Sequence, residues 1–224
     1  MKSFAGMLMA AIFFLSVLIT SFSALAVSTP FYSYEYEKNG TYSEFGRKEV
    51  DGVTGAVIEY LGGKSENLYY EAGGSNIFTQ RETAHMADVR GLFQFFGGMR
   101  NWMVAAFALI AIAIRRELRA VSRRFAVWLV FIMTAFTAFA AAAATNYEYF
   151  FTIFHEVFFT NDYWLLDPAD SIIINIMPIS FFSDAALVIF LSTLSACALA
   201  ALAAHRLGKT QFAQTNSHIK DLLT

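Results

Sequence analysis

The chain of 224 residues is too apolar for an ordinary soluble domain, because 57% of its residues are hydrophobic and only 15% are charged. Soluble domains usually carry about 25% charged residues. The formal net charge is -2, and we predict no nucleic-acid partner. The single cysteine, Cys197, excludes a disulfide within one chain. It is interpreted as a buried packing residue, since no His or Asp within a helical turn activates its thiol.

Four apolar segments have the length needed to cross the hydrocarbon core of a bilayer, roughly 17–25 residues each. We predict transmembrane helices over residues 1–27, 93–114, 125–145 and 181–204, separated by an outer segment 28–92, a link 115–124 and a second outer segment 146–180, and followed by a tail 205–224. The chain is therefore expected to be a mainly α-helical membrane protein with four transmembrane helices.

The first apolar segment also has features of a secretory signal peptide. Lys2 precedes it, and Ala24-Leu25-Ala26 near its end provides an A-x-A cleavage pattern. Its apolar run is longer than the usual signal core of about 7–15 residues, so we favour a retained first span. Cleavage would leave three spans and would keep every other segment on the same side of the membrane.

Lys and Arg determine the predicted orientation, because they concentrate in the cytoplasmic loops of membrane proteins. The link 115–124 carries five arginines and one glutamate, whereas 146–180 carries five acidic residues and no basic ones. The tail adds Arg206, Lys209 and Lys220. We therefore place the link and both termini in the cytoplasm. The two longer segments then lie on the extracytoplasmic face of the cell membrane.

The first outer segment, 28–92, is predicted to form a small α+β cap. Residues 31–37 (FYSYEYE) alternate tyrosine with polar residues, the period-two pattern of a half-buried strand. Residues 67–74 (NLYYEAGG) are expected to form a second strand and a turn. Between them, residues 52–61 have the apolar spacing of a short helix that ends at two glycines.

A polar stretch, TQRETAHMADVR (79–90), closes this segment directly before the second apolar segment. Thr79 and Glu82 have the spacing of a capping box, in which a hydroxyl and a carboxylate satisfy free backbone donors at a helix start. Glu82, His85 and Asp88 follow one another at intervals of three, so they are neighbours on one flank of the predicted helix.

The second outer segment, 146–180, is apolar for a loop and is predicted to lie in the membrane interface. His155 and Glu156 are among its few polar residues, and such groups are costly in apolar surroundings unless they are paired or used. His85 and His155 on one membrane face can serve as general base and general acid. Structural hydrogen bonding, or metal binding by both histidines with Asp88 and Glu156, stay open as alternatives.

Common catalytic and cofactor motifs are missing from the sequence. It contains no GxSxG elbow, no HExxH, no GxxxxGK[ST] and no CxxC. We therefore predict no cofactor and no resident metal. If the protein handles an acyl or ester group, the nucleophile has to come from the substrate.

Two motifs together, RETAHMADVR (81–90) and HEVFFTNDYWLLDP (155–168), resemble those of the bacterial lipoprotein intramolecular transacylase family, a group of four-span membrane proteins. The first motif places Glu, His and Asp three residues apart, with Arg two further on. The second contains His, Phe-Phe, Asn, Trp and Asp-Pro. FYSYEY after the first span and IEYLGG in the cap extend the likeness over most of the chain.

The resemblance implies a reaction on lipoproteins. An acyl chain moves from the diacylglyceryl group of the N-terminal cysteine to the α-amine of that cysteine, which produces a lyso-lipoprotein. The attacking group is the substrate's own amine, so no serine or cysteine nucleophile is needed. The enzyme has to take a proton from the ammonium, hold the amine against the ester and stabilise the oxyanion. The implied partners are the lipidated N-terminal cysteine of lipoproteins and membrane phospholipid.

Four residues of the two motifs are expected to act at the reacting groups. The resemblance implies that His85 is the general base and that His155 is the proton donor or oxyanion stabiliser, with the reverse assignment left open. Asp88 is expected to orient His85 and select its tautomer. Glu82 is expected to combine capping with a contact to the ammonium.

Four further residues are expected to support them. Arg90 or Arg100 is expected to bind a phosphate or a carbonyl oxygen, although Arg100 also fits an interface anchor. Trp164 and Asp167 are expected to hold the structure in position, Trp164 as an alternative interface anchor and Asp167 through the Asp-Pro turn.

Two other functions fit the residues. One is a non-catalytic membrane adaptor or assembly protein whose histidines only bridge outer helices, and the other is a metal-dependent membrane hydrolase. A transporter is disfavoured because the polar residues cluster at one face. The distance between His85 and His155 distinguishes these interpretations, since a shared cavity supports an enzyme and a wide separation supports an adaptor.

Overall fold

The structure is a computed structural model that describes the backbone of residues 2–222 and the side chains of residues 2–208. Within that part, four helices are long and apolar enough to cross a membrane by length and composition: Lys2–Ala26, Gln80–Ala113, Leu118–Thr145 and Ile179–Gly208. The prediction of a mainly helical protein with four candidate spans is confirmed. The side chains of Lys209, His218 and Lys220 in the predicted tail lie outside the described residues.

The described chain contains helices and one short hairpin. In chain order they are α1 (Lys2–Ala26), α2 (Thr29–Lys38), α3 (Thr41–Phe45), α4 (Arg47–Leu61), β1 (Glu71–Ala72), β2 (Ser75–Asn76), α5 (Gln80–Ala113), α6 (Leu118–Thr145), α7 (Tyr147–Phe158), α8 (Ile172–Ile176) and α9 (Ile179–Leu222). The long helices continue beyond the apolar segments, so the predicted link 115–124 is helical from Leu118 onward.

The chain divides into two compact units. The span unit comprises residues 1–21, 98–142 and 190–224, and the cap unit comprises residues 22–97 and 143–189. In the span unit, α1, α6 and α9 pack around a small apolar core that includes Ala10, Leu129 and Cys197. Cys197 is fully buried there, as expected for a packing residue.

The cap unit has an aromatic and aliphatic core. Tyr36, Val53, Val57 and Ile176 are among its most deeply buried residues and come from α2, α4 and α8. This core packs the short helices of the first outer segment against α8 of the second. It therefore brings together two stretches of chain that are separated by the second and third predicted spans.

The strand predicted for residues 31–37 is wrong, because this stretch forms α2. A proline in the first turn favours the helix start. The buried residues of α2 are Tyr32, Glu35 and Tyr36, whose spacing places them on one helical face. Tyr34, the middle tyrosine of the alternating pattern, is 66% exposed. Tyr32 and Tyr36 are four residues apart, a spacing that fits both the two-residue period of a strand and the 3.6-residue period of a helix. Packing of both rings against the cap core favours the helix.

The remainder of the first outer segment is largely helical. α4 covers the residues predicted as a short helix, begins earlier at Arg47 and ends before Gly62. Of the stretch 67–74 predicted as a strand and turn, only Glu71–Ala72 is a strand; it pairs with Ser75–Asn76 beyond the stretch in the antiparallel hairpin β1–β2, in which Glu71 pairs with Asn76. Its two glycines have φ values of 61° and 84°, which residues with a side chain rarely adopt.

Candidate active site

His85 and His155 lie side by side in the cap unit. Their ring centroids are 6.0 Å apart, and their ring planes are inclined by 36°. His85 is on α5 and His155 is on α7, and each side chain is only 8% exposed. The two imidazoles predicted to act together therefore do meet, which favours an enzyme over an adaptor with separated histidines.

The hydrogen bond of His155 defines its tautomer. Nδ1 lies 2.7 Å from the backbone carbonyl oxygen of Phe151. A carbonyl only accepts, so Nδ1 carries the proton and Nε2 has a free lone pair when the ring is neutral. Burial lowers the pKa of His155 below its usual value, and the Phe151 hydrogen bond opposes this shift in part. The ring is therefore expected to be neutral and basic near pH 7.

Aromatic rings from α7 and from the segment that follows it surround the imidazole of His155. Trp164 is stacked on the imidazole, with 4.9 Å between centroids and 29° between planes. Phe151 lies 4.2 Å away by the same measure, and Phe159 contacts both histidines, at 5.6 Å from His155 and 5.2 Å from His85. Trp164 is thus placed against a candidate catalytic ring, as a positional role requires.

His85 has an unpaired ring nitrogen. Its Nδ1 is buried and has no hydrogen-bond partner among the described residues. An unsatisfied buried polar atom typically costs about 1–3 kcal/mol, and such atoms call for an explanation such as a catalytic role or a missing ligand.

Glu82 is fully buried and performs the predicted capping. Its Oε2 accepts from the Thr79 backbone N–H at 2.7 Å, and the Glu82 N–H donates to Thr79 Oγ1 at 3.1 Å. Its Oε1 accepts from Ser171 Oγ at 2.7 Å and from the Ile173 N–H at 2.8 Å. The carboxylate therefore joins the start of α5 to the start of α8, and both of its oxygens accept hydrogen bonds from protein donors.

Replacing Glu82 by glutamine is expected to destabilise the protein. The amide nitrogen would face a hydrogen-bond donor where a carboxylate oxygen now accepts, leaving a buried donor unsatisfied at a cost of about 1–3 kcal/mol. A lower melting temperature of the detergent-solubilised variant would show this. Glu148→Gln, which changes an exposed carboxylate on α7, is the matched control, and equal melting temperatures in the two variants would contradict the prediction.

Asp88 does not hydrogen-bond to His85 in the described structure. Its Oδ2 accepts instead from Asn161 Nδ2 at 2.9 Å. Asn161 Oδ1 in turn accepts from the Tyr163 N–H at 3.0 Å, and the Arg81 guanidinium donates to the carbonyl oxygen of Asp162. Sequence reasoning did not single out Asn161 as a site residue. Its position inside the His155 motif was the available signal.

Arg90 packs within the cap unit. Its Nη1 donates to the carbonyl oxygen of Glu66 at 3.2 Å, and its guanidinium lies 4.6 Å from the centre of the Tyr60 ring. The buried Nε has no hydrogen-bond partner among the described residues. Nη1 of the guanidinium is thus bonded within the cap unit, whereas Nε makes no hydrogen bond to the described residues.

Arg100 and Asp167 are not brought to the histidine pair by any contact in the described structure. Arg100 belongs to the span unit, where its guanidinium donates to the side chain of the neighbouring Asn101. Asp167 is exposed, and its Oδ1 accepts from the Ala169 N–H at 2.9 Å. This contact belongs to the turn at Pro168.

A pocket of about 580 Å³ opens next to Trp164 and Phe159. It is lined by Thr152, Glu156, Phe159, Thr160, Asn161, Asp162, Trp164 and Leu165, and it reaches the histidine pair only through Phe159 and Trp164, which contact His155. Its size is within the usual range for ligand sites. In the part of the chain that the structure describes, no group of three or more His, Cys, Asp or Glu side chains is placed to hold a metal ion. The metal alternative therefore lacks a donor set there.

Fold and site together define a multi-pass membrane protein with two buried, adjacent histidines in its cap unit. The model of the lipoprotein intramolecular transacylase Lit family matches residues 7–182. The chain therefore belongs to this family of acyltransferases that act on lipoproteins. No protein with a curated description matches the sequence.

Solved structures of the membrane integral lipoprotein intramolecular transacylase Lit from Bacillus cereus share the fold. One in meso structure has a TM-score of 0.79 at 19% sequence identity and covers 95% of this chain and 98% of that chain. A structure of the same protein with an H85R mutation, in that protein's own numbering, has a TM-score of 0.75 at 19% identity, covering 96% of this chain and 95% of that chain.

Proposed function

We propose that this chain moves an acyl chain from the diacylglyceryl group of a lipoprotein's N-terminal cysteine to the α-amine of that cysteine, with His85 and His155 as its acid–base pair. The observation that carries the proposal is the 6.0 Å between the two ring centroids. At this spacing, an amine and an ester carbonyl of one substrate can each contact a ring nitrogen. Family membership and the aromatic surroundings support the same reaction.

The reaction requires one proton to move. The neutral amine attacks the ester carbonyl, a carbon–nitrogen bond forms, and the carbonyl oxygen carries the negative charge of the tetrahedral intermediate. The nitrogen then gives up a proton, and the glycerol oxygen receives one as the carbon–oxygen bond breaks. Amine and ester belong to one molecule, so holding them in the reactive orientation can supply much of the acceleration.

We assign the general base to His155, which is the reverse of the assignment expected first. Its Nδ1–H is committed to the Phe151 carbonyl oxygen, so Nε2 is the atom that takes the proton from nitrogen. Nε2 then donates this proton to the departing glycerol oxygen. His85 donates a ring N–H to the oxyanion, a role for which its unpaired Nδ1 is available.

Activity is expected to depend on pH through His155 and the substrate amine. A lowered pKa keeps His155 basic to below pH 6.5, so its titration should appear only at more acidic pH. The α-amine has a pKa of about 8, and only its neutral form attacks. Log kcat/KM should rise with pH with a slope of about 1 between the two pKa values and about 2 below the pKa of His155.

A pH profile of the detergent-solubilised enzyme with a diacylated lipopeptide checks this dependence. The His155→Gln variant should lose the steeper acidic region and keep the amine titration in its residual activity. An inflection above pH 6.5 in wild type that disappears with His155→Gln would contradict a pKa lowered by burial.

We place the site on the extracytoplasmic side of the cell membrane. Consecutive connections between spans alternate sides, and the Arg-rich connection between α5 and α6 is expected in the cytoplasm. The next connection contains α7, whose outward apolar residues, such as Val157 at 70% exposed, suit contact with membrane phospholipid. A membrane-impermeant maleimide applied to intact spheroplasts should label Glu148→Cys and not Arg116→Cys. The opposite result would overturn this placement.

Mass spectrometry of lipoprotein N-terminal peptides tests the function directly. Expression in a host that makes diacylated lipoproteins and lacks this activity should produce cysteine with an N-acyl and a monoacylglyceryl group. The His85→Ala and His155→Ala variants should leave the diacylglyceryl form. If wild type and both variants yield the same diacyl peptides, the transacylase assignment is wrong.

A further inference from the structure

Asn161 joins α5, which carries His85, to the segment that follows the His155 helix α7. Its Nδ2 donates to Asp88 Oδ2 at 2.9 Å, and its Oδ1 accepts from the Tyr163 N–H at 3.0 Å. Asp88 follows His85 by three residues on α5, so both lie on one flank of that helix. One amide therefore bonds to the His85 helix on one side and organises the chain leading to Trp164 on the other.

The chain between Phe159 and Leu166 has no helix or strand to hold it. Its position therefore depends on side-chain contacts: besides the Asn161 bond, the Arg81 guanidinium on α5 donates to the Asp162 carbonyl oxygen, and Phe159 packs against His85. Trp164 belongs to this segment and is stacked on His155 at 4.9 Å. Movement of the segment would displace Trp164 from the imidazole.

The donor and acceptor groups around position 161 explain why an amide side chain suits it. Asp88 presents a carboxylate, which only accepts hydrogen bonds, and the Tyr163 N–H only donates. A side chain between them has to donate on one side and accept on the other, and asparagine does both. A carboxylate there would face Asp88 with like charge, and an alanine would make neither bond.

We infer that Asn161 is a positioning residue for acyl transfer: its hydrogen bond to Asp88 holds the Trp164 segment against α5 and thereby sets how His155 faces His85. The inference rests on the proposed transacylase function. It also changes the role of Asp88, whose hydrogen bond goes to Asn161 and not to His85, while its charge partly offsets the lowering of the His85 pKa by burial. Small displacements of reacting groups are costly, since an error of about 1 Å can lower a rate about 100-fold.

Exchanging the two side chains tests the inference. N161A and N161D are expected to lower kcat by about 30- to 100-fold with KM changed by less than about 3-fold, as for misaligned catalytic groups. The double variant D88N/N161D exchanges donor and acceptor between the two positions. It should recover kcat to within about 10-fold of wild type, because coupled partners are non-additive. N175A is the matched control, since it removes an Asn side-chain bond to the Pro168 carbonyl in the same outer segment, and it should retain wild-type kcat.

The fluorescence of Trp164 provides a readout that does not depend on activity. In a W102F/W128F background Trp164 is the remaining tryptophan, and protonation of a stacked imidazole changes its environment by placing a cation over the ring. The emission should titrate with pH in the parent, lose that titration in N161A and regain it in D88N/N161D.

The outcomes separate this inference from the proposed function. If N161A retains wild-type kcat and the Trp164 titration, the positioning role is wrong. It is also wrong if N161A has a raised KM and an unchanged kcat, and D88N/N161D does not restore the wild-type KM. That result would indicate a direct contact between Asn161 and substrate in the pocket. If the parent makes no N-acyl product, the proposed function fails. The emission measurements then still decide whether the Asp88–Asn161 bond holds Trp164 on His155.

Discussion

Replacing His155 by glutamine is expected to lower kcat by about 10²- to 10⁴-fold, the range typical for loss of a general acid–base group. The glutamine amide has no basic lone pair on nitrogen, so the proton released by the attacking amine has no acceptor at that position. KM should change little, because Trp164 and the pocket stay in place. Initial rates with a synthetic diacylated lipopeptide, followed by mass spectrometry of the N-acyl product, separate the two constants.

Chemical rescue distinguishes a lost base from a damaged fold. Added imidazole should restore part of the activity of His155→Ala, because it supplies the missing base in the space that the ring vacates. Glu148→Gln, an exposed substitution on the same helix α7, should keep wild-type kcat. A His155→Gln variant that keeps more than a tenth of wild-type kcat would refute the assignment of His155 as base.

Replacing His85 by alanine is expected to lower kcat by about 10²- to 10³-fold, as found when one oxyanion donor is removed. His85→Asn should recover part of this loss, since its amide N–H lies near the position of Nδ1 and can donate to the oxyanion without acting as a base. The same lipopeptide assay applies, with melting temperatures measured on each variant to exclude unfolding.

The kcat values of the variants at both histidines together decide which ring is the general base and which one donates to the oxyanion. If His85→Asn is no better than His85→Ala, while His155→Gln is only mildly impaired, the two roles are exchanged. The double variant His85→Ala/His155→Ala should be scarcely slower than the worse single variant, because residues that act as a unit have non-additive effects. Fully additive losses would indicate two independent contributions.

Local sequence was sufficient for the features that depend on near neighbours in the chain. The four candidate spans were predictable because a bilayer imposes a minimum apolar length on each helix that crosses it. The capping box of Thr79 and Glu82 was predictable for a similar reason, since both partners lie within one helical turn. Residues 31–37 show the limit of such arguments, because a short alternating pattern of tyrosines fits a strand and one face of α2 equally well.

The sequence by itself determined the membrane class, the family motifs and the candidate histidines. Only the tertiary structure decided that His85 and His155 meet, that Asp88 bonds to Asn161, and that Glu82 holds Ser171. Each of these contacts joins residues at least 70 positions apart. Hydrophobic periodicity indicates which side of a helix is buried but not which helix covers it. That choice is made for α8 by the packing of the cap core, which holds α8 against the start of α5.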